Sequence, residues 1–197
     1  MDMPKPGDVH KRLSALVGNW SGRETLQPAP WDPAGGSARA RVTNRSILDG
    51  FGVVQDYEQD RGGGVNFRGH GVFWYDDQKK EYVMTWWDST SGRAGEYRGQ
   101  FRGDALELTS PMPQGGHGRT TFDMSRPGKY RFLMEISPDG KQWQTAMEGW
   151  YDEANPSDAG MRAKPGTKRP PRAKKWAPGK TAAKPKRRAA AKRGRRR

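Results

Sequence analysis

The chain has 197 residues, 36 Lys+Arg against 22 Asp+Glu, a formal net charge of +14 and no cysteine. That composition excludes disulfides, thiolate metal sites and cysteine nucleophiles. Residues 161–197 hold 17 Lys+Arg and no acid, whereas residues 1–160 hold 19 basic and 22 acidic groups, so the basicity belongs to the C-terminal stretch and not to the body.

Aromatic residues divide the other way. Of the 20 Trp, Tyr and Phe, only Trp176 lies beyond residue 160, and each aromatic that is buried withdraws roughly 150–250 Å² from water. The first 18 residues, MDMPKPGDVHKRLSALVG, have no apolar h-region, and no run reaches 18 apolar residues. The expectation is a cytoplasmic protein without a membrane span, associated with the nucleoid if the tail binds DNA.

Residues 1–7 are expected to be a flexible N-terminus. Asp8 opens a short helix with Val9, Leu13, Leu16 and Val17 on one side, ended by Gly18. Between Asn19 and Leu26, Trp20, Gly22 and Leu26 share one parity. Residues 27–36, QPAPWDPAGG, read as a loop. Ala38, Ala40 and Val42 alternate with Arg39, Arg41 and Thr43, the period of a half-buried strand. Asp49-Gly50 predicts a two-residue hairpin turn before a strand over Phe51–Tyr57.

The clearest antiparallel pair is Gly71–Tyr75 with Tyr82–Trp87, joined by Asp76-Asp77-Gln78-Lys79-Lys80. Tyr97, Gly99 and Phe101 then alternate with polar residues, and Leu106 with Leu108, Phe122 with Met124, and Tyr130 through Ile136 follow. Trp143, Thr145, Met147, Gly149 and Tyr151 form the last apolar parity. About ten short strands with no helix between them predict an all-β, up-and-down antiparallel barrel over residues 8–153. Closure also removes exposed sheet edges.

The inward parities mix small residues with large ones. Such an interior is either filled by its aromatics or leaves room for a small apolar ligand, and both readings stay open. Cavity candidates are Trp20, Trp86, Asp88, Tyr97, Phe101, Phe132 and Trp143. Asp88 shares parity with Tyr82, Met84 and Trp86, but Asp88-Ser89-Thr90 also reads as a turn ending its strand.

Leu16-Val17-Gly18-Asn19-Trp20-Ser21-Gly22 resembles the Gly-x-Trp opening of calycin barrels, which implies a Trp closing one end of the barrel. Gly71…Tyr75-Asp76 followed by Tyr82-Val83…Trp86-Trp87-Asp88-Ser89, with Gly99 after it, resembles a bacterial family known only as domain of unknown function 1579. The resemblance covers about residues 8–152. It implies a calycin-like, lipocalin- or nitrobindin-like fold, with Trp20, Asp88 and Ser89 as family-typical positions, and supplies no reaction.

The neighbouring nitrobindins bind haem through a histidine. By that likeness His70, which shares parity with Val72 and Trp74, is the candidate ligand here. His10 lies in the helix and His117 has outward parity. Chemistry beyond this finds no footing. There is no Gly-x-Ser-x-Gly elbow and no His-Glu-x-x-His helix. Pro178-Gly179-Lys180-Thr181 imitates the end of a phosphate loop, but Lys174 stands where its first Gly belongs. No cofactor, no metal site and no catalytic residue are expected, and the barrel is read as non-enzymatic.

Residues 154–197 are expected to form a disordered tail, because Lys, Arg, Ala, Pro and Gly cannot bury enough surface to offset ordering entropy. Lys-Pro-Lys-Arg-Arg-Ala-Ala-Ala-Lys-Arg resembles the tails of linker histones and bacterial histone-like proteins. Closely spaced cations displace counterions from DNA or RNA without reading bases. The contact candidates are Lys168, Arg169, Arg172, Lys174 and Lys175, then Lys180, Lys184, Lys186, Arg187 and Arg188, and finally Lys192, Arg193, Arg195, Arg196 and Arg197. The leading expectation is therefore a barrel tethered to nucleic acid. The alternative is a ligand-binding barrel that the tail only localises, with a haem-binding barrel through His70 or an uncharacterised enzyme using Asp88 and its neighbours as further readings.

Overall fold

The computed structural model describes residues 3–29, 32–112 and 115–154. The expected basic tail, all its contact candidates and Trp176 lie outside the described residues.

Ten strands close into one antiparallel barrel. In chain order they are β1 (Gly18–Leu26), β2 (Gly36–Ile47), β3 (Gly52–Asp60), β4 (Val65–Asp76), β5 (Glu81–Asp88), β6 (Gly95–Arg102), β7 (Ala105–Pro111), β8 (His117–Arg126), β9 (Lys129–Ser137) and β10 (Gln144–Glu153). Each strand pairs with its sequence neighbours, and β1 closes on β10 through the run from Trp20↔Glu153 to Leu26↔Met147. The meander and the closure are those the hairpin-length connections predict.

One end is plugged by the N-terminal segment. Helix α1 (Asp8–Arg12), with Gly7 as its N-cap, continues into a 3₁₀ turn over Leu13–Leu16. Leu13 and Leu16 are each 1% exposed. The Leu16 carbonyl accepts hydrogen bonds from Trp20 Nε1 at 3.0 Å and Asn44 Nδ2 at 2.7 Å. Trp20 also meets Tyr130 edge-on at 5.1 Å, so it closes this end as the calycin likeness implies. Phe101 belongs to the same end, under the Arg12 guanidinium at 4.2 Å.

Three local readings differ from the structure. The β2–β3 connection is a tight turn over Leu48–Phe51, in which Leu48, Asp49 and Gly50 all take positive φ, rather than a two-residue turn at Asp49-Gly50. His70 faces outward, because its strand partners are Asp56 and Trp87 while Gly69 and Gly71 face in. Trp143 stands outside the barrel, under the Arg119 guanidinium at 4.1 Å. A bulge between Thr145 and Met147 is the cause, since the extra residue, buried Ala146, reverses the parity of everything before it.

Candidate functional site: the barrel interior

The alternation of each strand puts Glu24 on the same face as Trp20 and Gly22, aimed into the barrel, and it is 1% exposed. Around it the registers bring Tyr57 and Gln59 from β3 and Tyr151 from β10. Tyr57 Oη lies 2.9 and 2.8 Å from the two carboxylate oxygens, Gln59 Nε2 donates to Oε2 at 2.7 Å, and Tyr151 Oη donates to Oε1. Gln59 Nε2 also lies 2.8 Å from Tyr57 Oη, so the Tyr57 hydroxyl accepts from the amide while donating to the carboxylate.

These partners are all neutral. Burying a carboxylate without a cation costs several kcal/mol, and hydrogen bonds from three donors recover part of it. The tyrosines feel the same environment. Burial first, then the Glu24 charge, pushes the Tyr57 hydroxyl well above its ordinary pKa. Burial also raises Tyr130 and Tyr151, whose rings stack at 4.5 Å and 7°.

Glycines give the large rings their places. A Cβ on Gly149 would come within 2.7 Å of Tyr151 Cε2 and 3.1 Å of Glu24 Cγ, and one on Gly22 within 2.8 Å of Tyr151 Cδ1. The Trp86 indole lies over Gly69 in the same way, with its Cζ2 2.1 Å from where a Cβ would be. Alternating small and large inward residues thus let aromatic rings lie flat against the wall.

Away from the plug, several inward-facing side chains keep partial solvent exposure. Phe67, Trp86, Tyr97 and Phe132 pack against the core yet stay partly exposed, and Met134, Ile136 and Met147 are also partly exposed. Asp88 stands at this rim. Its Oδ1 accepts from the Thr90 amide and hydroxyl and from the Ser91 amide at 2.6–2.9 Å. Burial pushes this carboxyl up, but the hydrogen bonds outweigh it and hold it below the ordinary range. Asp88 therefore caps the turn that ends β5.

Among the inward-facing positions of the described strands there are three carboxylates, Glu24, Asp88 and, exposed at the plugged end opposite Trp20, Glu153, and no Lys or Arg. The cavity candidates Trp86, Tyr97, Phe132 and Asp88 come together in the open half, Trp20 and Phe101 sit at the plugged end, and Trp143 is on the outer wall. Glu24, Tyr57, Gln59 and Tyr151 were not among the candidates. The signal was Glu24's shared parity with Trp20, Gly22 and Leu26.

The haem ligand suggested by the nitrobindin likeness does not fit. His70 Nδ1 lies 2.8 Å from Asp56 Oδ1 on the outer face, His10 Nδ1 accepts from the Gly7 amide, and His117 is exposed at the start of β8. No histidine faces the interior. Among the described residues no three His, Asp or Glu side chains gather to hold a metal ion, and no helix is long and apolar enough to cross a membrane.

Comparison with known proteins agrees with this architecture. Residues 5–153 match the family described as "Protein of unknown function (DUF1579)", and the chain belongs to that family. No curated protein matches. The fold is similar to the crystal structure of Rv2717c from M. tuberculosis, with a TM-score of 0.55 at 13% identity over 76% of this chain and 99% of that one. It is also similar to the S-type phycobiliprotein lyase CPES from Guillardia theta, with a TM-score of 0.51 at 11% identity over 75% of this chain and 93% of that one.

Proposed function

We propose that this DUF1579 barrel is a carrier for a small molecule with an apolar or aromatic body and a cationic or N–H-donating head. The observation that carries this reading is the sign of the interior: an apolar, aromatic wall whose open half holds Glu24 and Asp88, with no Lys or Arg at any inward position of the described strands. A cation or donor entering that half meets favourable potential, and an anion is repelled. Trp86, Tyr57 and Tyr97 add aromatic faces for a cation. Glu24, at 1% exposure, acts through its field and through the hydroxyl and amide groups bonded to it.

The test is native mass spectrometry of the full chain purified from its own host, beside the Glu24→Gln variant. The expected result is extra mass on the wild type that is lost or reduced in Glu24→Gln, which keeps the shape and removes the charge. A wild-type chain that carries nothing, and that takes up no aromatic amine from a test panel, would end this reading.

The charge distribution favours a second reading for the tail. We infer that residues 161–197, with 17 Lys+Arg and no acid, tether the barrel to nucleic acid through phosphates without base readout. Log affinity for duplex DNA would then fall with log salt at about 0.9 per phosphate neutralised. Equal DNA binding by the full chain and by residues 1–158 across a salt series would refute it.

A further inference from the structure

The outer wall carries an arrangement that neither the interior nor the tail explains. Arg39 of β2 pairs with Arg23 of β1, Arg23 with Trp150 of β10, and Trp150 with Arg131 of β9, forming one continuous row across four strands. At about 4.8 Å per strand the row is roughly 14 Å long. Like charges directly opposite one another weaken a strand pair, yet Arg23 and Arg39 are set that way. The two acids on the outward positions of β1, β2 and β10 are already engaged, Glu148 by Arg131 at 2.6 Å and Asp152 by Lys129. Asp60 of β3, which stands opposite Arg39, accepts from the Gly62 and Gly64 amides. Arg23, Arg39 and Arg41 are exposed and enter no ion pair among the described residues.

Trp150 is 46% exposed, the most open tryptophan among the described residues. The guanidinium groups of Arg126 and Arg131 lie 5.3 and 5.7 Å from its ring centroid, looser than the 4.1 Å of Arg119 over Trp143. Beside the arginine end of the row a groove of about 490 Å³ opens between Arg23, Ser37, Arg39, Asp60 and Arg61.

We propose that this wall binds single-stranded nucleic acid, with one unpaired base stacked on Trp150 and the adjoining phosphates on Arg23 and Arg39. An exposed ring among cations is what a strand with free base faces requires. A duplex, whose bases are stacked on one another, offers the same ring nothing. The residues of this face lie between Arg23 and Trp150 in sequence, so none belongs to residues 161–197.

The experiment uses the full chain and labelled oligo(dT) or a duplex of equal length, with binding followed by fluorescence anisotropy over a salt series. Trp150→Ala is expected to weaken oligo(dT) binding about 5- to 100-fold and leave duplex binding unchanged, with Trp150→Phe recovering part of the loss. Arg23→Ala/Arg39→Ala is expected to make the single-strand salt slope shallower by about 1.4. All three positions are exposed or partly so, and circular dichroism checks that the variants fold. Unchanged oligo(dT) binding in both variants overturns the proposal. An equal loss on duplex and single strand also overturns it, since the arginines would then be a general anion attractor. So does a loss confined to vesicles of anionic phospholipid. Failure of the tail reading has a different signature, retention of duplex binding by residues 1–158.

Discussion

Glu24 and Tyr151 stand 127 positions apart in sequence and are joined by a hydrogen bond at the seam where β1 closes on β10. The contact exists only in the closed barrel, so it ties the charge of the interior to the integrity of the fold. Removing one donor should therefore be felt as global stability. Tyr57→Phe, which withdraws the hydroxyl shared by Glu24 and Gln59, is expected to cost about 1.5–3 kcal/mol, the range for a hydrogen bond to a charged group. Urea unfolding followed by tryptophan fluorescence measures it. A change below 0.5 kcal/mol would mean that Glu24 is satisfied without Tyr57.

Alkaline pH should expose the buried tyrosines. Tyr57, Tyr130 and Tyr151 have folded-state pKa values above the ordinary one, which is about 10. Above that pH the unfolded chain loses these protons while the folded chain keeps them, so stability is fully present below about pH 10 and falls as pH rises. Each tyrosine adds about 1.4 kcal/mol per pH unit to the fall. Urea midpoints between pH 8 and pH 11 should drop steeply, and Tyr57→Phe should flatten the drop by one tyrosine's share. An equally steep decline in that variant would contradict the assignment.

The glycines beneath the rings make a geometric prediction. Gly149→Ala would drive Tyr151 from Glu24, and Gly69→Ala would lift the Trp86 indole off its wall. Each is expected to cost about 1–3 kcal/mol, as overpacking does. Near-ultraviolet circular dichroism should change as well, because an aromatic ring moves in both variants. A spectrum identical to wild type would show that the rings are not held by these contacts.

The plug should be the costliest site to empty. Leu16 is 1% exposed at the foot of the barrel, and Leu16→Ala is expected to lose about 2–5 kcal/mol. The carbonyl that anchors Trp20 and Asn44 is backbone and survives the substitution. Hydrogen exchange at β1 and at the end of β2 should therefore accelerate without loss of the barrel's strand signal. Retained exchange protection there would place the plug outside the cooperative unit.

Much of the fold was legible because it rests on local rules. Period-two alternation from Ala38 to Val42 and from Tyr130 to Ile136, with hairpin-length connections, is enough to order ten strands in a meander. Alternation fails where one residue is inserted or a parity is read against the wrong neighbours. The bulge at Ala146 put Trp143 outside, and grouping His70 with Val72 and Trp74 concealed that Gly69, Gly71 and Phe73 face in. Glu24 was legible in parity and illegible in kind, since a charged residue at an inward position reads as solvated until its donors are known.

By itself the sequence determined which residues alternate, where the chain turns and how charge divides between body and tail, since each depends on a few neighbouring residues. The tertiary structure alone decided that Tyr57, Gln59 and Tyr151 converge on Glu24, that no Lys or Arg takes an inward position of the described strands, and that Arg39, Arg23, Trp150 and Arg131 form one row. Those depend on register between strands, and the last on the closure of β1 against β10. Register is a property of two chain segments at once and is set by the packing of the whole barrel.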